Sequence, residues 1–167
     1  MPVSIERKIL EIEKTLYRLS KEITESDLNN PLLIGIPRRG DLLAKRISDY
    51  LVELNFTHEL DTVNYRPFRD DVEENIEKTH LTISPQDRNV ILIDDVIYTG
   101  RTLRSSIEAV IYSGRPKSIT LTCLIDRGHR ELPISPKFVG KNIPTNESEY
   151  VSVFLKEIDK EDRVEIH

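Results

Sequence analysis

Leu32 to Ile36 (LLIGI) and Val90 to Ile93 (VILI) are uninterrupted apolar runs of strand length. A strand with no polar alternation must be covered on both faces, which is the condition of a strand inside a parallel sheet. Pro37 to Gly40 breaks the first run, and Asp41 to Leu54 then carries Leu42, Leu43, Ile47, Tyr50, Leu51 and Leu54 at helical spacing. The second run, Val90 to Asp94, is followed by another helical period from Thr102 to Ser113, apolar at Leu103, Ile107, Val110 and Ile111. Gly114 supplies its C-cap and Pro116 forbids its continuation. Ser118 to Ile125 reads as a further strand. This alternation predicts an α/β fold, a mostly parallel twisted sheet flanked by helices on both faces, because each crossover must return over the sheet. Ligands in such sheets sit beyond the carboxyl ends of the strands, which directs attention to residues 37–40, 94–102 and 126–134.

The remaining segments fill in the plan. Ile5, Ile9, Ile12, Leu16, Leu19 and Ile23 step alternately by four and three, which lines one face of an amino-terminal helix, with Ser4 as N-cap and Asn29, Asn30 and Pro31 at its end. A strand is expected from about Glu59 to Tyr65. Arg66 to Arg88 has no clear period, and a connection of that length in a compact domain is read as a functional lid. Asp126 to Ser148 is turn-rich, with Gly128, Pro133, Pro136, Gly140 and Pro144, and Tyr150 to Leu155 alternates as a strand. One domain spanning residues 1–167 is expected, since a chain of 167 residues can bury roughly 70 % of its unfolded surface in a single core.

Composition narrows the chemistry. The lone Cys123 excludes a disulfide framework within one chain, and four scattered histidines leave no structural zinc site, so no protein-held metal and a reducing, cytoplasmic setting are expected. The longest apolar runs are about five residues, far short of a membrane span. A net charge of −5 argues against a basic surface that wraps nucleic acid wholesale, and neither DNA nor membrane is an expected partner. Asp70, Asp71, Glu73, Glu74 and Glu77 crowd one stretch, and Glu157, Asp159, Glu161, Asp162 and Glu165 another; both read as solvated surface.

The densest signal is Ile91 to Leu103, ILIDDVIYTGRTL. Asp94 and Asp95 are placed where a buried strand ends, and Thr99, Gly100, Arg101 and Thr102 form a small hydroxyl-bearing turn into a helix. The unpaired N–H groups of a helix N-terminus favour an anion. Paired carboxylates beside such a cradle fit a sugar phosphate, since they accept hydrogen bonds from vicinal hydroxyls or bind magnesium that does so. Arg38 and Arg39, on a turn flanked by Gly35 and Gly40, offer charge-assisted donors to phosphate oxygens. An Asp-Asp pair alone is ordinary at a strand end, and it also occurs in receiver domains, where the Thr-Gly-Arg-Thr turn has no role.

This stretch closely resembles the phosphoribosyl diphosphate signature of type I phosphoribosyltransferases. Together with Gly35-Ile36, Arg39-Gly40, Leu43 to Arg46, Leu124 to Ile134 (LIDRGHRELPI) and Val139 to Thr145 (VGKNIPT), it resembles the branch of regulators of pyrimidine operons that are also uracil phosphoribosyltransferases. The resemblance implies that Asp94 and Asp95 hold the ribose hydroxyls and that Thr99 to Thr102 hold the 5-phosphate, with Val96 beside them. It also implies that Ile36 to Gly40 grip the pyrophosphate, with Arg38, Arg39 and Gly40 as ligand-binding residues. Asp126 to Ile134 would form a hood whose backbone near Leu132, Pro133 and Ile134 reads the base, within a larger hood reaching about residue 148. Arg69, with Asp70 and Asp71, resembles the family's lid and would join Asp94 and Asp95 as a catalytic residue. The implied partners are phosphoribosyl diphosphate carrying Mg2+, uracil, the uridine nucleotides UMP and UTP, and a hairpin in leader mRNA. A homodimer or dimer of dimers is implied too. Tyr17, Arg18, Lys21, His129, Arg130 and Lys141 match positions of the RNA surface.

The sequence also departs from that pattern. Where the family has Tyr-Arg-Asp-Asp contiguous, this chain reads Tyr65-Arg66-Pro67-Phe68-Arg69-Asp70-Asp71 and continues in a shorter acidic stretch. Tyr17, Lys21 and Ser135 stand where Thr, His and Arg are commoner. Pro67 stiffens the lid's entry and the carboxylates repel a polyphosphate, so two outcomes stay open: a transferase that also binds RNA, or an RNA-binding nucleotide sensor with little or no turnover. A phosphoribosyltransferase for another base is opposed chiefly by Arg127 to Ile134.

Overall fold

The computed structural model describes residues 10–71 and 75–167. In chain order the elements are α1 (Ile12–Thr24), β1 (Leu32–Gly35), α2 (Gly40–Glu53), β2 (Glu59–Thr62), a 3-10 turn (Arg66–Phe68), β3 (Asn89–Ile97), α3 (Arg101–Ser113), β4 (Ser118–Asp126), β5 (Phe138–Asn142), β6 (Val151–Phe154), α4 (Lys156–Asp159) and β7 (Arg163–Ile166). Five strands form one sheet in the order β2-β1-β3-β4-β5, and all of its pairings are parallel. The expected α/β architecture is thus observed. Among the described residues no helix is long and apolar enough to cross a membrane.

The apolar runs divide between two cores because successive side chains of a strand point to opposite faces. Leu33, Ile91, Ile93 and Leu124 pack against Leu16, Leu19 and Ile23 of α1 and Leu43, Ile47 and Leu51 of α2. Leu32, Ile34, Val90, Leu92, Leu121 and Cys123 pack on the other face with Leu103, Ala109 and Val110 of α3. Helices on both faces are the reason no polar alternation could be read in β1 or β3.

Four boundaries differ from expectation by more than one residue. The N-cap Ser4 and the first apolar positions, Ile5 and Ile9, lie outside the described residues. Leu10 and Glu11 are not helical, and α1 starts at Ile12, where the extended Glu11 accepts both the N–H and the hydroxyl of Thr15 through its carbonyl. It stops at Thr24 because Ser26 folds back onto the carbonyl of Ile23 through backbone and hydroxyl. β2 ends at Thr62 rather than Tyr65, as the chain leaves the sheet edge toward the turn that Pro67 favours. β3 runs on to Ile97, because Val96 and Ile97 find partners in Ile125 and Asp126 of β4. Asp94 and Asp95 therefore lie within the strand, not beyond it.

Two strands were not expected. β5 lies in the turn-rich stretch and forms the far edge of the sheet; a side chain at Gly140 would collide with the carbonyl of Leu124, so the close approach needs glycine. β7 pairs antiparallel with β6 and belongs to the carboxyl-terminal acidic segment. That segment is not merely solvated. Arg46 on α2, its side chain 8 % exposed, is held by Glu157 at 2.7 and 2.8 Å, by Asp162 at 2.8 Å from each oxygen, and by Glu13 of α1 at 2.9 Å.

This clasp ties α1, α2 and the β6–β7 hairpin together. Hydrogen bonds from Arg46 hold the Glu157 carboxyl below its usual range; burial pushes Asp162 upward, but the Arg46 bond and the Lys156 N–H pull it below. Arg46→Ala is expected to lose about 2–4 kcal/mol, below the full cost of breaking a buried pair because the acids keep contact with water. Depressed carboxyl values stabilise above the unfolded values near 4, so in denaturant titrations the difference between variant and parent should shrink as pH falls through the folded values.

Candidate functional site

Beyond Ile97 the chain bends through Tyr98, Thr99 and Gly100 before α3 begins at Arg101. Gly100 has φ +93°, a left-handed conformation that glycine adopts without strain, and Arg130, Leu132 and Ile134 lie against its open side. The N-terminus of α3 has no side-chain cap; the Thr99 hydroxyl accepts only a long bond, 3.3 Å, from the Arg101 N–H. A cavity of about 140 Å³ opens on this terminus, lined by Asp94 and residues 96–103. Val96, Thr99, Gly100, Arg101 and Thr102 thus line one cavity with the first carboxylate.

Asp94 is 7 % exposed. Its Oδ1 accepts the Asp95 N–H at 2.8 Å, and Asp95 Oδ1 accepts the Val96 N–H at 2.7 Å. Burial raises the Asp94 carboxyl well above its ordinary value and the neighbouring Asp95 raises it further. Asp95 is raised by burial too, against the opposing pull of the hydrogen bonds from Asp94 and Val96 and of the Arg39 charge. The pair holds a proton more readily than two free carboxylates would.

The loop after β1 presses on the same point. A Cβ on Gly40 would stand 2.5 Å from the Ile93 carbonyl and 3.1 Å from Asp94 Cα, so only glycine lets the start of α2 lie there. Arg39, at φ +76°, has a buried Nε without a partner among the described residues, and its Nη2 lies 3.4 Å from both carboxylate oxygens of Asp159. Arg38 lines a second cavity of about 520 Å³ with Asn64, Tyr65, Arg66 and His80.

The hood folds back over the bend. Thr99 O accepts the N–H groups of Glu131 and Leu132, and Leu132 O accepts that of Ile134 around Pro133. Arg130 is turned inward, donating to Ile134 O, Tyr98 O and Asp126 at 2.6–2.8 Å. His129 bonds the Thr145 carbonyl and meets the Tyr98 ring edge-on. Arg127 was not singled out from sequence, although it opens the RGHR run. It is buried, stacks 4.0 Å from the Tyr98 ring centre and donates to Thr145, Asn146 and Glu149.

The lid begins on the far side. Phe68 is buried against Tyr112 of α3, and Arg69 is committed to Asp71 at 2.6 and 2.8 Å. Arg101 reaches from the helix start to Glu131 of the hood and Asp70 of the lid, at 2.6 and 3.2 Å. Glu73 and Glu74 lie outside the described residues. Away from the cavity, Tyr17, Arg18 and Lys21 are exposed on α1; Arg18 donates to the carbonyls of Val139 and Gly140 on β5 and pairs with Glu22. Lys141 is exposed on that strand. The six positions expected on an RNA surface thus split into an α1–β5 group and a hood group, in which Arg130 is engaged internally and His129 is held through one ring nitrogen.

The family model for the phosphoribosyl transferase domain matches residues 7–157. The chain is 44 % identical over 158 residues to the bifunctional protein PyrR of Streptococcus pneumoniae strain CGSP14, covering 93 % of this chain and 91 % of the relative, and equally to that of serotype 19F strain G54. Among solved structures it is similar to a hypoxanthine-guanine phosphoribosyltransferase from Bacillus anthracis, with TM-score 0.73, 15 % identity and 98 % of each chain covered. The hypoxanthine phosphoribosyltransferase of Trypanosoma cruzi also gives TM-score 0.73, at 17 % identity over 96 % of this chain and 95 % of the other. At these identities the two structures speak to the fold.

A carboxyl whose folded value lies above its unfolded value costs stability once pH passes the unfolded value, near 3.9, and the cost grows until the folded value is passed. Asp94→Asn removes that cost and keeps an oxygen for the Asp95 N–H. The variant is expected to be more stable than the parent by about 1–2 kcal/mol at neutral pH in denaturant unfolding, with the gain vanishing toward pH 4.

Proposed function

Because the chain belongs to the phosphoribosyl transferase family, and within it stands with the bifunctional PyrR proteins, we propose that it is a uracil phosphoribosyltransferase that also binds a leader mRNA hairpin in response to uridine nucleotides. The observation that carries this reading is the uncapped N-terminus of α3 opening on a cavity of about 140 Å³ with Asp94 on its wall. A phosphate monoester placed there meets N–H donors and the helix dipole, and its ribose hydroxyls reach the carboxylate pair.

In the proposed reaction the N1 nitrogen of uracil forms a bond to the anomeric carbon of phosphoribosyl diphosphate as the bond to the pyrophosphate oxygen breaks, and the N1 proton is lost. The products are UMP and diphosphate. The transition state carries oxocarbenium character, so the protein's tasks are alignment, neutralisation of the departing charge and exclusion of water. Asp94 and Asp95 fix the ribose from below. Arg39 and the Ile36 to Gly40 backbone face the departing pyrophosphate, and Arg69 with the rest of Arg66 to Arg88 closes over it. The hood segment Leu132 to Ile134 bounds the base, anchored by Arg130. Two adjacent carboxylates are a suitable oxygen donor set for a hard divalent cation, so Asp94 and Asp95 would face the Mg2+ carried by the diphosphate, which supplies charge neutralisation when bound.

The second reading, nucleotide binding with little turnover, draws on one observation: the lid's Arg69 and Asp70 are tied to Asp71 and Arg101, contacts that must break before the lid can close over a diphosphate. For RNA, Arg18 and Lys21 on α1 with Lys141 on β5 are the proposed phosphate contacts, and Tyr17 a stacking surface. A homodimer or dimer of dimers, in the cytoplasm, is the proposed working form.

Diphosphate release from uracil, Mg2+ and phosphoribosyl diphosphate is expected; its absence with intact UMP binding would leave the sensor reading, and turnover with hypoxanthine but not uracil would replace both. Calorimetric affinity for UMP should fall about tenfold in Thr102→Ala, the loss of one hydrogen bond to a charged group. In gel shifts with leader RNA, Arg18→Ala and Lys21→Ala should each weaken binding and flatten its salt dependence by about one phosphate contact.

A further inference from the structure

We propose that Asp159 is a positioning residue: it holds the Arg39 guanidinium off the Asp94–Asp95 pair, so that Arg39 stays available to the diphosphate. The inference rests on the phosphoribosyltransferase reading.

The two residues are far apart in sequence, and the fold takes trouble to join them. Asp159 ends the single turn of α4, where its Oδ2 accepts the Leu155 N–H at 2.8 Å and its own N–H donates to Leu155 O at 2.7 Å. Leu155 is fully buried. The clasp of Arg46 holds Glu157 on one side of Asp159 and Asp162 on the other. The Asp159 carboxylate is therefore fixed by backbone and by two neighbouring ion pairs, none of which needs Arg39.

Arg39 is held less firmly. Its Nη2 is 3.4 Å from each oxygen of Asp159, the long limit of a hydrogen bond, and its buried Nε has no partner. The charge of Arg39 also acts on Asp95. The guanidinium thus feels the charge of the inner pair while its ion-pair contact, at 3.4 Å, is with Asp159. Without Asp159 the remaining attraction is to Asp95, and a guanidinium settled there would mask the carboxylates and leave the diphosphate without its donor. With Asp159 present, a short movement brings Arg39 to a phosphate oxygen, and the unpaired Nε gains a partner.

The test compares two ligands by calorimetry, because UMP lacks the diphosphate. Asp159→Asn should weaken phosphoribosyl diphosphate, measured with Mg2+, by about fivefold, the value of one partly screened ion pair. Affinity for UMP should stay at the parent value, and Asp159→Glu should recover part of the loss. In an Arg39→Ala background, Asp159→Asn should have no further effect. Equal weakening of both ligands, or an effect that persists without Arg39, would assign Asp159 a purely structural role and overturn the proposal. Parent-like affinity for phosphoribosyl diphosphate in Asp159→Asn would overturn it as well while leaving the transferase reading intact. A parent protein that binds neither ligand would remove both.

Discussion

Two adjacent carboxylates sit in the carboxyl-terminal half of the central strand, one of them almost without solvent, and much of the surrounding structure follows from that burial. A buried charge must be paired, hydrogen-bonded or protonated. Here the acids use all three routes in part: backbone N–H groups of Asp95 and Val96 cap one oxygen of each, Arg39 lends charge from the side, and burial raises both carboxyls. Such a pair costs stability in the empty protein, and it is retained where a ligand offers hydroxyls or a cation to receive it.

The bend after β3 is the mechanical centre of the same site. Its carbonyls at Ile97, Tyr98 and Thr99 each accept a bond from the hood, while Arg101 reaches to hood and lid at once. Hood, bend and lid are consequently not independent. Both ion pairs of Arg101 are solvent-exposed, so they join the start of α3 to hood and lid by contacts that exchange readily with water.

The sheet was legible because burial on both faces leaves uninterrupted apolar runs, and the bend because a strand, two acids, a glycine turn and a helix start occur within thirteen residues. β5 was illegible for a physical reason: it is an edge strand whose last residues, Lys141 and Asn142, face solvent and whose middle is a glycine needed for close approach to β4. β7 was hidden by its charge. Glu157, Asp159 and Asp162 read as solvated acids because their partners, Arg46 and Arg39, lie more than a hundred residues away in the chain. Local pattern reports periodicity and turns; it does not report which distant cation an acid will meet.

The arginines make the same point about function. Seven of them, Arg38, Arg39, Arg46, Arg69, Arg101, Arg127 and Arg130, lie near the candidate site or its supports, and sequence alone ranks them by motif. The structure ranks them by what already occupies their donors. Arg46 and Arg130 have their charges matched by carboxylates, and Arg127 is buried among carbonyls and aromatic rings, so these three build the walls. Arg69 and Arg101 are paired with exposed acids, which water and a polyanion can displace at little cost. Among the described residues, Arg39 combines a long, weak pairing with a buried donor that has no partner there. A residue with an unmet hydrogen bond and one loose ion pair has most to gain from an arriving phosphate, and that asymmetry of demand, rather than net charge, can draw a polyanionic substrate to a protein whose overall charge is −5.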